Sequence, residues 1–125
     1  MKKIVLTMML AVMAVFNASA QTMLEQTVLF SNGATTVAES QMDGLEMVAE
    51  YMKNHPQQKI IVAGFCAQGT PAQQINNICE ARAKAVKQIL VNRFHVASDR
   101  LSTLGVGVST RFKVKEQNEV VSFFK

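Results

Sequence analysis

At 125 residues the chain has room for one domain and not two. Its formal net charge of +4 falls to +2 without Lys2 and Lys3. The remaining basic residues are scattered and not interleaved with the single tyrosine and seven phenylalanines, which excludes a nucleic-acid surface.

In chain order, Lys2 and Lys3 form a positive start, Ile4 to Phe16 is an apolar run broken only by Thr7, and Ala18-Ser19-Ala20 is a small-x-small cleavage signal. This layout predicts a secretory signal peptide over residues 1–20 and a single domain over residues 21–125. The run of 13 residues is too short to span roughly 30 Å of hydrocarbon as a helix. Gln21 offers no thiol for lipidation, so the mature chain is expected to be soluble, with no membrane span.

Leu24 to Phe30 alternates and predicts a strand, and Ser31-Asn32-Gly33 is a turn signal. Met42, Leu45, Val48, Ala49 and Met52 recur at helical spacing, predicting an amphipathic helix from about Ala38 to Asn54, stopped by Pro56. Lys59 to Phe65 is apolar on both alternating faces, the mark of a central strand. Thr70-Pro71-Ala72-Gln73 reads as a helix start, with Thr70 as cap and Gln73 completing a capping box. That helix is expected to run to Asn92 or Arg93. A third strand follows at Arg100 to Gly107, then an irregular basic stretch from Val108 to Gln117, then a fourth strand from Asn118 to Phe124. The order predicts an α/β fold, a two-layer sandwich β-α-β-α-β-β with a mixed sheet and two main helices packed on it.

Two features of the unit from Gly64 to Arg93 carry chemistry. Ile75, Ile78, Cys79, Val86, Ile89 and Leu90 share one sector of the second helix, and Arg82 lies near its middle. An unpaired buried charge costs several kcal/mol. Arg82 therefore either meets a buried acceptor or emerges into a ligand pocket beside the turn after Gly64, at the carboxyl end of a strand. Its planar fork suits a carboxylate in both cases. The second feature is the cysteine pair. In an exported chain Cys66 and Cys79 suggest one disulfide, with free buried thiols as the alternative. His55 and His95 stand at no ligand spacing to them, so neither a metal site nor a cofactor is expected. No paired carboxylates and no Ser/His/Asp arrangement indicate an enzyme.

Several segments, in this order, resemble the OmpA-like domain family found in outer-membrane protein A, the peptidoglycan-associated lipoprotein and the stator protein MotB. Val28-Leu29-Phe30 with Ala34 to Val37 resembles the opening strand and step. Leu45 to Pro56 resembles the first helix, and Val62 to Phe65 the strand before a G-H-T-D turn. Ile78-Cys79-Glu80-Ala81-Arg82-Ala83 resembles the L-S-x-x-R-A motif, and Asp99 to Gly107 the S-R-I-x-x-x-G-Y-G strand. The resemblance implies binding of diaminopimelate-type peptidoglycan stem peptides, in the periplasm or at the outer membrane, with Arg82 on a ligand carboxylate. It also marks departures. Ala67 stands where the family's second arm is an aspartate, Cys66 and Cys79 replace pocket residues, and Asn118-Glu119-Val120-Val121 lacks the arginines of the closing N-R-R-V. The resemblance thus implies a cell-envelope module with an altered or weakened peptidoglycan site, formed by Arg82, Gln68, Ala67 and Asn76. The alternative is a structural or protein-interaction module that has lost the wall and binds another envelope protein, or a second copy of itself through exposed faces of the last strand (Val120, Val121, Phe123, Phe124), residues that read equally as core.

Overall fold

The computed structural model describes residues 23–113 and 115–125. The expected signal peptide lies outside the described residues.

Strand β1 (Met23–Leu29) is followed by a turn in which Gly33 takes φ +74 and Ala34 N–H donates to Ser31 O. Helix α1 (Met42–Asn54) starts later than the spacing of apolar residues predicts. A 3₁₀ turn over Glu39–Gln41 precedes it, and Gln41 Oε1 accepts the Leu29 backbone N–H across the connection. Strand β2 (Ile60–Cys66), helix α2 (Ala72–Asn92), β3 (Leu101–Val108) and β4 (Val120–Phe124) complete the order. The result is the mixed four-stranded sheet and two helices that the sequence predicts.

The strand order is β1-β4-β2-β3. β2 and β3 run parallel around the α2 crossover, and β4 is antiparallel to both β1 and β2. The last strand therefore occupies the interior of the sheet. Both its edges are paired and all its residues but Phe124 are buried. This corrects the expectation that β4 has faces free to pair with another chain: its apolar composition reflects burial within the domain.

Val28 pairs with Val121, and Val62 with Phe123. These residues meet Leu45, Val48 and Met52 of α1 and Val86 and Leu90 of α2 in one core. Fully burying side chains of this size is worth about 1.5–3 kcal/mol each relative to exposure. Gly64 lets α2 lie directly on β2: a Cβ there would overlap the Cys79 carbonyl oxygen. Arg100 closes the other end of the sheet. Its guanidinium donates to Met52 O at 2.9 Å, His55 O at 2.7 Å and Gln58 O at 3.0 Å, so a cation satisfies the end of α1.

The expected capping box at α2 does not form. Pro71 occupies the cap position without a side-chain cap bond, and Thr70 Oγ1 donates instead to Ala67 O at 2.8 Å. The tight turn after Cys66 draws the hydroxyl back onto its own backbone, a use of threonine that competes with capping.

Candidate functional site

The close seating of α2 on β2 brings Arg82 to the carboxyl end of the central strands. Arg82 is 0% exposed. Its Nε donates to Ala34 O at 2.7 Å, Nη1 to Phe65 O at 2.9 Å and Nη2 to Ser31 O at 3.2 Å. Nη1 also donates to Glu119 Oε1 at 2.8 Å. The Phe30 ring centroid lies 5.0 Å from the guanidinium carbon, a cation–π distance. The charge in the apolar stripe is thus held by a buried acceptor from within the chain.

Glu119 precedes β4 and is 4% exposed. Its Oε1 accepts a second bond, from Ala67 N–H at 3.2 Å, and its backbone O accepts the Phe30 N–H at 2.7 Å. Five segments meet on this pair: the end of β1, the Ser31–Ala34 turn, the end of β2, α2 and the start of β4. Such a pair is costly to desolvate, and the carbonyl partners offset that cost by satisfying the remaining donors.

Next to it, Cys66 and Cys79 are fully buried thiols with their sulfurs 2.9 Å apart. The hydrogen bond from Cys79 holds the Cys66 thiol below its ordinary range, helped by the Arg82 charge and opposed by burial and by Glu119. Cys79 is pushed up, first as the donor to Cys66 and then by burial. Cys66 is the proton-losing member of the pair.

The turn, the start of α2 and Glu119 enclose a cleft of about 100 Å³, lined by Asn32, Gln68, Thr70, Pro71, Gln74 and Ile78 as well. Of the residues expected at the site, Arg82 and Ala67 lie beneath the cleft, joined through Glu119, and Gln68 lines it. Asn76 is exposed on α2 and does not line it. A wider hollow of about 460 Å³ lies at the opposite end of the sheet, between α1 and the segment around His95. Its Arg100 is committed to the end of α1.

Glu119 is the residue that sequence reasoning passed over. It reads there only as a missing arginine. The available signal was a carboxylate abutting the apolar run Val120–Phe124, an anomaly that mirrors Arg82 in its own apolar stripe. The carbonyls of Ser31, Ala34 and Phe65 have no sequence signal, because any residue supplies them.

Among the described residues no cluster is suited to hold a metal ion, and no helix is long and apolar enough to cross a membrane. The structure is similar to the OmpA-like domain of FopA1 from Francisella tularensis subsp. tularensis SCHU S4, with a TM-score of 0.70 at 16% identity, covering 86% of this chain and 75% of that one. It is similar to the peptidoglycan-associated lipoprotein from Burkholderia pseudomallei, at 0.67 and 21% identity over 81% and 91% of the two chains. It is also similar to the cell wall anchor of the T6SS from Pseudomonas aeruginosa, at 0.63 and 14% identity over 90% and 92%. These likenesses are of fold, and the sequence itself agrees with them: residues 29–123 match the OmpA family, and the chain belongs to it.

Proposed function

We propose that the protein is a non-enzymatic module of the cell envelope, periplasmic or outer-membrane associated, whose carboxylate clamp is closed by its own Glu119. One observation carries this reading: Arg82 is wholly buried, and its Nη1 lies 2.8 Å from Glu119 Oε1. A stem-peptide carboxylate would have to displace a carboxylate already in place, and Ala67 offers no second arm for an ammonium group. The module therefore meets peptidoglycan or another envelope protein through the cleft beside the pair, and not through Arg82. The printed descriptions of two relatives, a peptidoglycan-associated lipoprotein and a cell wall anchor, support the compartment and the class of partner.

Co-sedimentation with purified sacculi tests the reading. The wild type and Arg82→Lys, which leaves the cleft-lining residues and the charge facing Glu119 in place but lacks the planar fork that grips a ligand carboxylate, are expected to pellet to the same extent. Wild-type pelleting that is lost in Arg82→Lys would show an open clamp and overturn it. Conversely, Glu119→Ala combined with Ala67→Asp is expected to gain binding, because it frees the arginine and rebuilds the second arm.

Cys66 and Cys79 are also proposed to form a disulfide in the exported protein, where thiol oxidants accept the electron pair. The adjacency of the two buried sulfurs supports this pairing. Alkylation before and after reduction tests it: labelling of both cysteines without reductant would refute the bond.

A further inference from the structure

The basic stretch between β3 and β4 takes no part in the ion pair or the cleft lining. From Ser109 to Gln117 it carries Arg111, Lys113 and Lys115 against one acid, Glu116. That excess equals the whole +2 of residues 21–125, so the rest of the domain sums to zero. Arg111 and Lys113 are exposed. Neither meets a carboxylate among the described residues, where the ion pairs join Arg82 to Glu119 and Arg93 to Glu39.

The stretch has no regular backbone at Arg111–Lys113, yet it is held firmly. Asn118 Oδ1 accepts the Ser109 hydroxyl at 2.9 Å and the Phe112 N–H at 3.0 Å, and Asn118 Nδ2 donates to Phe112 O at 3.0 Å. Both Asn118 and Ser109 are buried. Arg111 N–H donates to Ser109 Oγ at 3.2 Å, and the Arg111 guanidinium carbon lies 5.2 Å from the Phe112 ring centroid. A charge on backbone already fixed in place loses less freedom when it binds.

Both ends of the loop are fastened beside the cleft. Ser109 N–H donates to Cys66 O at 2.8 Å, and Asn118 adjoins Glu119, which lines the cleft. The cleft lining itself holds no base. The adjoining loop supplies them. Their sign calls for an anionic partner, and their number narrows its class. Three bases fall short of the roughly four to eight that hold a protein to an anionic membrane. Phe112 is half-buried under Arg111, so it is not free to enter a bilayer. One or two carboxylates match what the loop offers.

We infer that the loop carrying Arg111 and Lys113 is the carboxylate-binding surface of the module, and that it takes the free carboxylates of wall peptides at the edge of the cleft. The inference rests on the closed clamp proposed above: with Arg82 committed to Glu119, a partner's carboxylate is met by exposed bases on a neighbouring loop.

The test is a binding curve with purified sacculi at low salt for the wild type and two double variants of equal charge. Arg111→Gln with Lys113→Gln is expected to weaken binding about threefold to tenfold, the range for two exposed charge contacts. Lys59→Gln with Lys84→Gln removes the same charge from exposed positions elsewhere and is expected to bind as the wild type does. Added salt is expected to shrink the loop variant's deficit. Sacculi whose carboxylates are capped as amides are expected to hold the wild type no better than the loop variant. Equal weakening in both double variants would reduce the effect to net charge and overturn the inference. So would no weakening in the loop variant, undiminished binding to the capped sacculi, or no wild-type pelleting at all. Phosphatidylglycerol vesicles are the remaining arm: loop-dependent capture by vesicles, without loop-dependent binding to sacculi, would assign the surface to a membrane and overturn the inference as well. A loop variant that binds sacculi like the wild type, with Arg82→Lys also unimpaired, defeats this inference and leaves the closed clamp standing. Pelleting lost in Arg82→Lys defeats the proposed function directly.

Discussion

Arg82 and Glu119 are 37 positions apart in the chain, and their side chains meet at 2.8 Å in the interior. The pair joins α2 to the start of β4, and Glu119 passes the connection on to the turn after β2 through Ala67 N–H. The carboxylate that Arg82 holds belongs to the protein itself.

Removing either partner alone leaves the other charge buried and uncompensated. Glu119→Ala and Arg82→Ala are each expected to cost about 3–5 kcal/mol. The Arg82→Met, Glu119→Leu double variant is expected to cost less than the sum of the two single changes. Urea unfolding of the four proteins in a double-mutant cycle measures this, and strict additivity would mean that the pair does not act as a unit.

Gly64→Ala places a methyl group against the Cys79 carbonyl. Because that obstacle is backbone, α2 has to move off the sheet, at an expected cost of about 1–3 kcal/mol. The midpoint of urea unfolding is expected to fall with an unchanged slope, and a wild-type midpoint would show that the helix has room to spare.

The proposed Cys66–Cys79 disulfide is expected to make stability depend on redox state, and the free thiols are expected to make it depend on pH. Closing the loop between Cys66 and Cys79 is expected to add about 3 kcal/mol, measured as the loss of stability when the oxidised protein is reduced. In the reduced form the folded Cys66 sits below its unfolded value, so its contribution is complete above the ordinary thiol pKa of about 8.5 and fades as pH falls through the lowered folded value. Cys79 is shifted upward, so its contribution is complete below about pH 8.5 and is lost on the alkaline side. Reduced protein is thus expected to be most stable near pH 8.5 with respect to these groups. Subtracting the oxidised protein's melting profile isolates that dependence, and a flat difference would contradict it.

Arg100→Ala removes the guanidinium that serves the Met52, His55 and Gln58 carbonyls. A loss of about 2 kcal/mol is expected, with early exchange of the last amides of α1. Arg100→Lys is expected to recover only part of this, because an ammonium group lacks the planar fork that spans three carbonyls. Full rescue by lysine would point to charge alone.

Periodicity disclosed the fold because burial imposes it. The double-sided apolar run at Ile60–Cys66 marks a central strand, and the stripe through Val86 and Leu90 marks the face of α2. The same rule singled out Arg82 as a residue needing a partner. Its partner stayed hidden for a physical reason: a contact across 37 positions depends on which strands become neighbours, and β4 has no period linking it to α2. The late start of α1 was equally hidden, because the Gln41 side chain serves Leu29 across the connection. Thr70 looked like a cap, since hydroxyls favour that position, but the turn geometry gave it a nearer acceptor.

The interior place of β4 also governs the order in which the domain can assemble. β1 and β2 do not touch each other in the sheet; each reaches the other only through Val120–Phe124. A chain made from its N-terminus can close β2, α2 and β3 as a unit, while β1 waits for the last strand before it has a partner. The buried arginine waits too, since Glu119 arrives with that strand. Until then the sheet stays unfinished, and Val120–Phe124 act as the keystone that locks sheet and ion pair in one step.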